Sequence, residues 1–526
     1  MKLQLFLKFK GRCLNGQYQH MKWSSSRYFP LNFYITKRTK SVNVTENCDN
    51  IKPFSSIPGP FRLPLIGSML PYKLGIKKLD NYHLGLFELY QKYGPVVRED
   101  LGSQTIIHIF NPDDFKRIYE SDGKTPFIPP LQETTQKYRE EKDMSPGLGN
   151  INGEEWYRLR HAVQQMMLRP KEVTHYLPLQ DKVAIQAVDR LSQQVGENGI
   201  ISDLHVTVGK WILESAGMIC FERSLGSFAG GFEEERATNL VKANREIFHL
   251  SGELKFSLRL YRYMKTPKYS RLHNLEDYFY GLSMEFIEET ITQINLLKNM
   301  NKLEDKKFNF LTYLLSRQDL SRKDVMTITL SLFSDGLSTT APTFLGNMHC
   351  LALNPDIQEK VYEEIQNNVK INGPITVQIL NKMHYLKAFV KEVFRFYPVG
   401  ETVQRLTQKD LILNGYNIPA GTYIDINPYI WLRSEKYFPE PNVIRPERWL
   451  RKDGNPLVHP YVLTPFSIGT RMCAGRRFAE QDLYLGLCRL LLKYRLESVN
   501  SQPPQQEWKT LLRPCLPIPI RFISRN

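Results

Sequence analysis

Apolar residues return every three to four positions through most of this chain, the spacing of helices that bury one stripe against a core. Two regions break that rhythm. Val96 to Phe110 alternates apolar and polar positions with enough β-branched residues for a hairpin, and residues 400–430 read as short strands separated by Asn414-Gly415 and Pro419-Ala420-Gly421. The pattern predicts a mainly α fold with a small β portion drawn from both ends of the sequence. One helix is predicted to be long. Ser321 and Asp324 stand at capping-box spacing, the periodicity runs to Asn354, and Pro355 opens the next element. At 1.5 Å per residue that helix would be roughly 48 Å long and cross the molecule. A further helix is predicted from Arg476 to about Leu492.

Inside the long helix, Ser334-Asp335-Gly336-Leu337-Ser338-Thr339-Thr340-Ala341-Pro342 gathers residues that weaken it. Pro342 cannot donate to the carbonyl of Ser338, so a local opening is expected there. Near the start, Ile57-Pro58-Gly59-Pro60-Phe61-Arg62-Leu63-Pro64 is stiff and non-helical and is expected to be the hinge into the folded domain. No linker, internal repeat or dinucleotide fingerprint divides the chain, so one folded domain is expected over 51–526, after a leader and linker at 1–50.

Composition sharpens this picture at the amino terminus. The net charge of +16 is uneven: residues 1–50 hold nine Lys or Arg against Glu46 and Asp49, and no acid precedes Glu46. The apolar run near Leu3 to Phe9 is broken by Lys8 and falls far short of the roughly 20 residues of a bilayer span. Basic, hydroxylated and acid-poor, the segment reads as a mitochondrial transit peptide, without a transmembrane anchor. Seven scattered cysteines show no metal-finger spacing, and a disulfide framework is not expected.

One of those cysteines carries the chemistry. Cys473 lies between Gly469 and Gly475, two positions after Arg471 and just before a predicted helix. A thiolate that binds iron needs backbone N–H groups aimed at sulfur and room for a flat macrocycle, which these glycines can provide; a helix start favours the anion. The string Phe466-x-x-Gly469-x-Arg471-x-Cys473-x-Gly475 resembles the haem-thiolate signature of the cytochrome P-450 family. Four further motifs, in order, extend the resemblance over about residues 57–526.

The resemblance implies the single-domain cytochrome P-450 fold with its long central helix. It implies haem b held by the axial thiolate of Cys473, with Phe466 and Gly475 shaping the loop, O2 as co-substrate, and no bound nicotinamide or flavin. Arg471, the pair Trp156 and Arg160, and Arg405 resemble the family's haem-propionate contacts. Gly336 and Thr339 match its oxygen-activation motif, but Asp335 stands where a small residue is usual and Ser338 replaces the acid. Thr339, Asp335 and Ser338 are therefore the catalytic candidates. Asp335, one turn before Thr339, either gates protons or is a helix-packing acid. Glu392, Arg395 and Arg448 resemble the family's structural triad.

Lys387 and Lys391 are like charges one turn apart, and Arg476 and Arg477 crowd a helix amino terminus, so both placements are mildly unfavourable. They resemble the docking face of the mitochondrial branch, which takes electrons from NADPH through a reductase and a small acidic iron–sulfur ferredoxin. The implied reaction inserts one oxygen atom of O2 into a C–H bond of a lipophilic substrate, commonly a steroid. The stretches Phe127 to Leu131 and Phe248 to Leu260 are candidates to line its pocket. The Asp335–Thr340 string looks most like an arthropod ecdysteroid side-chain (C22) hydroxylase. Also expected are a monomer on the matrix side of the inner mitochondrial membrane, peripheral membrane association and no nucleic-acid partner. Two alternatives stay open: a haem-thiolate isomerase or lyase, and a non-catalytic haem-binding sensor.

Overall fold

The computed structural model describes residues 51–102, 104–301, 309–370, 373–450, 459–500, 505–518 and 520–525, all within the compact unit Cys48–Asn526. The expected leader at 1–50 lies outside them. Helices dominate, and the long central one is Arg322–Leu353, 32 residues. Its start is the predicted capping box: Asp324 N–H donates to Ser321 Oγ at 3.2 Å, and Ser321 N–H donates to Asp324 Oδ2 at 2.8 Å.

This helix is apolar on nearly every side because it threads two cores. Its first half, including Val325, Ile328 and Phe333, packs with Phe221, Phe279 and Phe310. Its second half, including Phe344, Met348 and Leu351, packs with Trp211, Phe389 and Leu487. Trp211, on the helix Leu204–Cys220, meets the Phe344 ring edge-on with the ring centroids 4.4 Å apart. Behind Trp211 lies the helix Arg476–Lys493, and a Cβ on Gly486 would fall 1.6 Å from Trp211 Cη2. Only a glycine lets these two helices meet.

The β portion comes from both ends of the chain, as the pattern predicted. Strands β1 (Val96–Leu101) and β2 (Gln104–Ile109) form the hairpin; β3 is Val403–Leu406, β4 Leu411–Leu413, β5 Tyr416–Ile418 and β6 Tyr423–Ile426. The main sheet runs β1-β2-β6-β3, with β2 and β6 parallel. Asn414 and Gly415, both at positive φ, turn β4 into β5.

Two expectations change. The proline-rich segment is not a hinge: Arg98 N–H donates to Pro58 O at 2.8 Å, and a Cβ on Gly59 would sit 1.9 Å from Arg98 O. The segment lies along the outer side of β1, and Lys52 before it already pairs with β5. The central helix is also uninterrupted through Pro342. Ser338 Oγ and Thr339 Oγ1 both donate to Asp335 O, at 3.1 and 3.0 Å, so hydroxyls that were expected to loosen the helix fold back onto it. Among the described residues, Cys220, Cys350, Cys473, Cys488 and Cys515 are free, and no helix is long and apolar enough to cross a membrane.

Candidate active site

The chain reaches Cys473 through a tight loop. Ser467 and Gly469 take positive φ, and Cys473 N–H donates to Phe466 O at 2.9 Å, which closes the loop. The Phe466 ring packs edge-on against Phe394 at 5.2 Å. Gly475 then caps the helix Arg476–Lys493, one residue from the predicted end. A Cβ on Gly475 would meet nothing within 4 Å: it would project into open space beside the sulfur. Cys473 is deep in the molecule, yet its side chain is accessible from a cavity of about 590 Å³.

Burial pushes the Cys473 thiol up; the N–H groups of Gly475 and Arg476 and the charge of Arg160 oppose this. The helix start favours the anion as expected, but burial outweighs it. A nearby metal cation is what such a thiol needs to lose its proton.

Two buried arginines, Arg160 and Arg405, and the half-buried Arg471 surround the loop. Arg160, on the helix Gly153–Met167, donates from Nη2 to Met472 O at 2.7 Å, while its Nε has no partner. Arg405 on β3 donates from Nε to Asp122 Oδ2 at 2.8 Å, lies 4.8 Å over the Tyr119 ring, and leaves Nη2 without a partner. Arg471 stacks 4.0 Å over the Trp156 ring. Its donors go to Pro126 O, Ile151 O and Asn152 Oδ1, at 3.1, 2.6 and 2.7 Å.

The three charges feel one another. Arg471 is lowered to about 9, first by burial and then by Arg405 and Arg160, with Asp122 as the opposing acid. Against that one carboxylate, two positive charges and two buried N–H groups go unmatched. A dianion such as the propionate pair of haem b fits that deficit.

The central helix presents Asp335, Gly336, Ser338 and Thr339 to the same cavity. A Cβ on Gly336 would also meet nothing within 4 Å. Ser334 Oγ donates to Asp335 Oδ1 at 3.2 Å, and burial raises the Asp335 carboxyl against the pull of Arg139.

Ile128, Pro129, Leu131 and Phe248 line the cavity, as expected, while Leu258 and Leu260 lie on the surface. The sequence reading missed Asp122, and it missed Arg139, Glu276 and Tyr280, which bring polar and ionisable groups to the cavity wall. Nothing in their local spacing marks them.

The triad is assembled. Arg395 Nη2 and Arg448 Nε both reach Glu392 Oε1, at 2.8 and 3.2 Å, and Trp449 Nε1 donates to Oε2 at 2.8 Å. Of the four docking candidates, Arg476 pairs with Glu480 at 3.2 Å and Arg477 donates to Leu168 O. Lys391 lies 4.3 Å over Trp449, and Lys387 lies 6.0 Å over Tyr484.

The cytochrome P-450 family profile matches residues 57–522. The chain is 43% identical over 470 residues to a probable cytochrome P-450, CYP44, of Caenorhabditis elegans, covering 88% of this chain and 92% of the relative. It is 30% identical over 500 residues to cytochrome P-450 10 of Lymnaea stagnalis, covering 93% and 89%. It is 29% identical over 475 residues to the mitochondrial 1,25-dihydroxyvitamin D(3) 24-hydroxylase of Rattus norvegicus, covering 90% and 89%. A thiol opening onto a cavity, a cationic cradle short of two negative charges and a family match across nearly the whole chain agree. The chain belongs to the cytochrome P-450 family, resembles its mitochondrial branch, and is an oxidoreductase that uses haem b, a cysteine thiolate and O2 as a monooxygenase.

Proposed function

We propose that this chain hydroxylates a steroid-like lipid in mitochondria, with electrons from NADPH passed through a ferredoxin reductase and an acidic iron–sulfur ferredoxin. The observation that carries the reading is the Cys473 side chain, accessible from a large cavity and ringed by Arg160, Arg405 and Arg471. When bound, haem supplies the reduction and splitting of O2.

This chain's residues do the rest. Cys473 would hold the haem iron through its sulfur, and Arg160, Arg405 and Arg471 would hold the propionates. Trp156 keeps Arg471 flat, while Phe466 and Gly475 shape the floor. Thr339 Oγ1 hands a proton toward the reacting oxygen after leaving Asp335 O, and Asp335 is the group that resupplies it. Ser338, also tied to Asp335 O, holds that turn. Glu392, Arg395 and Arg448 lock the core through their buried ion pairs.

Phe61, Leu65, Leu74, Ile76, Tyr263 and Met264 are exposed, and Tyr72 packs on Phe256 at 5.5 Å to join the segments that carry them. This apolar face supports seating on the matrix side of the inner membrane without a span. The cationic leader at 1–50 supports import, and Lys387, Lys391, Arg476 and Arg477 support docking of an acidic carrier. The narrower reading is side-chain hydroxylation of an ecdysteroid precursor.

A reduced carbon monoxide spectrum tests the thiolate: Cys473→Ser must lose the thiolate-type Soret band. Reconstitution with ferredoxin, its reductase and a steroid panel tests the reaction. Product only with NADPH supports hydroxylation. Product from a hydroperoxide alone points to an isomerase or lyase, and binding without turnover to a sensor.

A further inference from the structure

At one end of the largely apolar cavity the helices Glu133–Glu141 and Pro267–Asn299 bring together a buried polar cluster that the reaction does not require. Glu276 is fully buried. Its Oε1 accepts from Thr135 Oγ1 at 2.6 Å, and its Oε2 has no hydrogen-bond partner. Arg139 is 5% exposed. It donates to Pro146 O at 2.8 Å and to the Tyr280 hydroxyl at 2.5 Å, with its guanidinium 4.6 Å over the Tyr280 ring. Its Nε has no partner.

A fully buried carboxylate with an idle oxygen, beside a guanidinium with an idle N–H, is expensive when nothing fills the gap. Both side chains line the cavity, and Arg139 lies in the electrostatic field of Glu276 and of Asp335. Asp335 acts on Cys473 as well, so the sulfur and the cluster share this acid as a neighbour.

One unmatched acceptor and one unmatched donor are the complement of a single group that both donates and accepts. We propose that Glu276 and Arg139 anchor an alcohol hydroxyl of the substrate, which donates to Glu276 Oε2 and accepts from Arg139 Nε, away from the carbon that is oxidised. Above pH 7, where Glu276 is ionised, a ketone would leave the carboxylate unpaired and an ammonium would leave the guanidinium unpaired. The cluster therefore selects hydroxylated lipids and fixes which end enters first. This rests on the reading of the cavity as the haem-side chamber.

The test uses iron-binding probes of known length on the holoenzyme: 1-alkylimidazoles and 1-(ω-hydroxyalkyl)imidazoles of matched chain, titrated by the Soret shift. The terminal hydroxyl should tighten binding by about tenfold or more at the chain lengths that reach the cluster, the worth of one buried hydrogen-bonded pair. Glu276→Gln should bring that ratio toward one. Equal affinities for the two series at every length would overturn the anchor, as would an undiminished ratio in Glu276→Gln. A complete lack of Soret shift with either series would overturn the haem reading itself, and the anchor with it.

Discussion

Arg471 lies flat over Trp156, its guanidinium carbon 4.0 Å from the ring centroid, and so ties the Cys473 loop to the helix Gly153–Met167. The same arginine holds the carbonyls of Pro126 and Ile151, so the floor of the cavity and its entry segment share one fastening. Trp156→Ala removes the stacking partner, which is worth about 1–2 kcal/mol when desolvated. The expected result is faster haem loss to an acceptor protein with the Soret position kept; unchanged loss would show that the carbonyl contacts alone suffice.

Glu392 takes donors from Arg395, Arg448, Trp449 and the Arg445 backbone, and both it and Arg395 are fully buried. Replacing it by Gln strands the Arg395 charge, at roughly 3–5 kcal/mol. Glu392→Gln should lower the urea midpoint steeply and yield little haem-loaded protein. A midpoint within experimental error of the parent would contradict the role of the triad.

Gly486 admits Trp211 where no Cβ fits. Gly486→Ala should destabilise by about 1–3 kcal/mol through overpacking, read as a fall in Tm. Gly336→Ala is the control, since its Cβ would meet nothing within 4 Å; its Tm should hold.

Burial raises the Glu276 carboxyl from 4.5 to about 7, against the pull of Thr135, Arg139 and Tyr280. The unfolded chain releases this proton near the ordinary value, while the folded chain keeps it until about 7. The group therefore adds nothing to stability below 4.5, and stability falls by roughly 3 kcal/mol as pH rises from 4.5 to 7. Glu276→Gln lacks the group, so its Tm relative to the parent should climb across that window and level off above it. A constant difference from pH 4.5 to 8 would refute the assignment.

Of the docking cations, Lys391 lies nearest an aromatic ring, 4.3 Å over Trp449, whereas Arg476 is engaged by Glu480. Lys391→Gln should raise the ferredoxin KM several-fold at low ionic strength and much less at high, with the carbon monoxide spectrum intact. An effect independent of salt would argue against electrostatic docking.

What could be read along the chain was local. The capping box at Ser321 and Asp324, the turn at Asn414-Gly415 and the helix that follows Cys473 depend on residues within a few positions of one another. The Glu392 triad was legible through its motifs. Tertiary structure alone decided the rest. It brought Asp122 to Arg405, Arg139 to Glu276 and Tyr280, and Gly486 to Trp211, pairs separated by more than a hundred residues, which no spacing records. It also turned the hydroxyls of Ser338 and Thr339 back onto the helix and pinned the prolines to β1, because a buried polar group takes the partner that the surrounding fold leaves within reach.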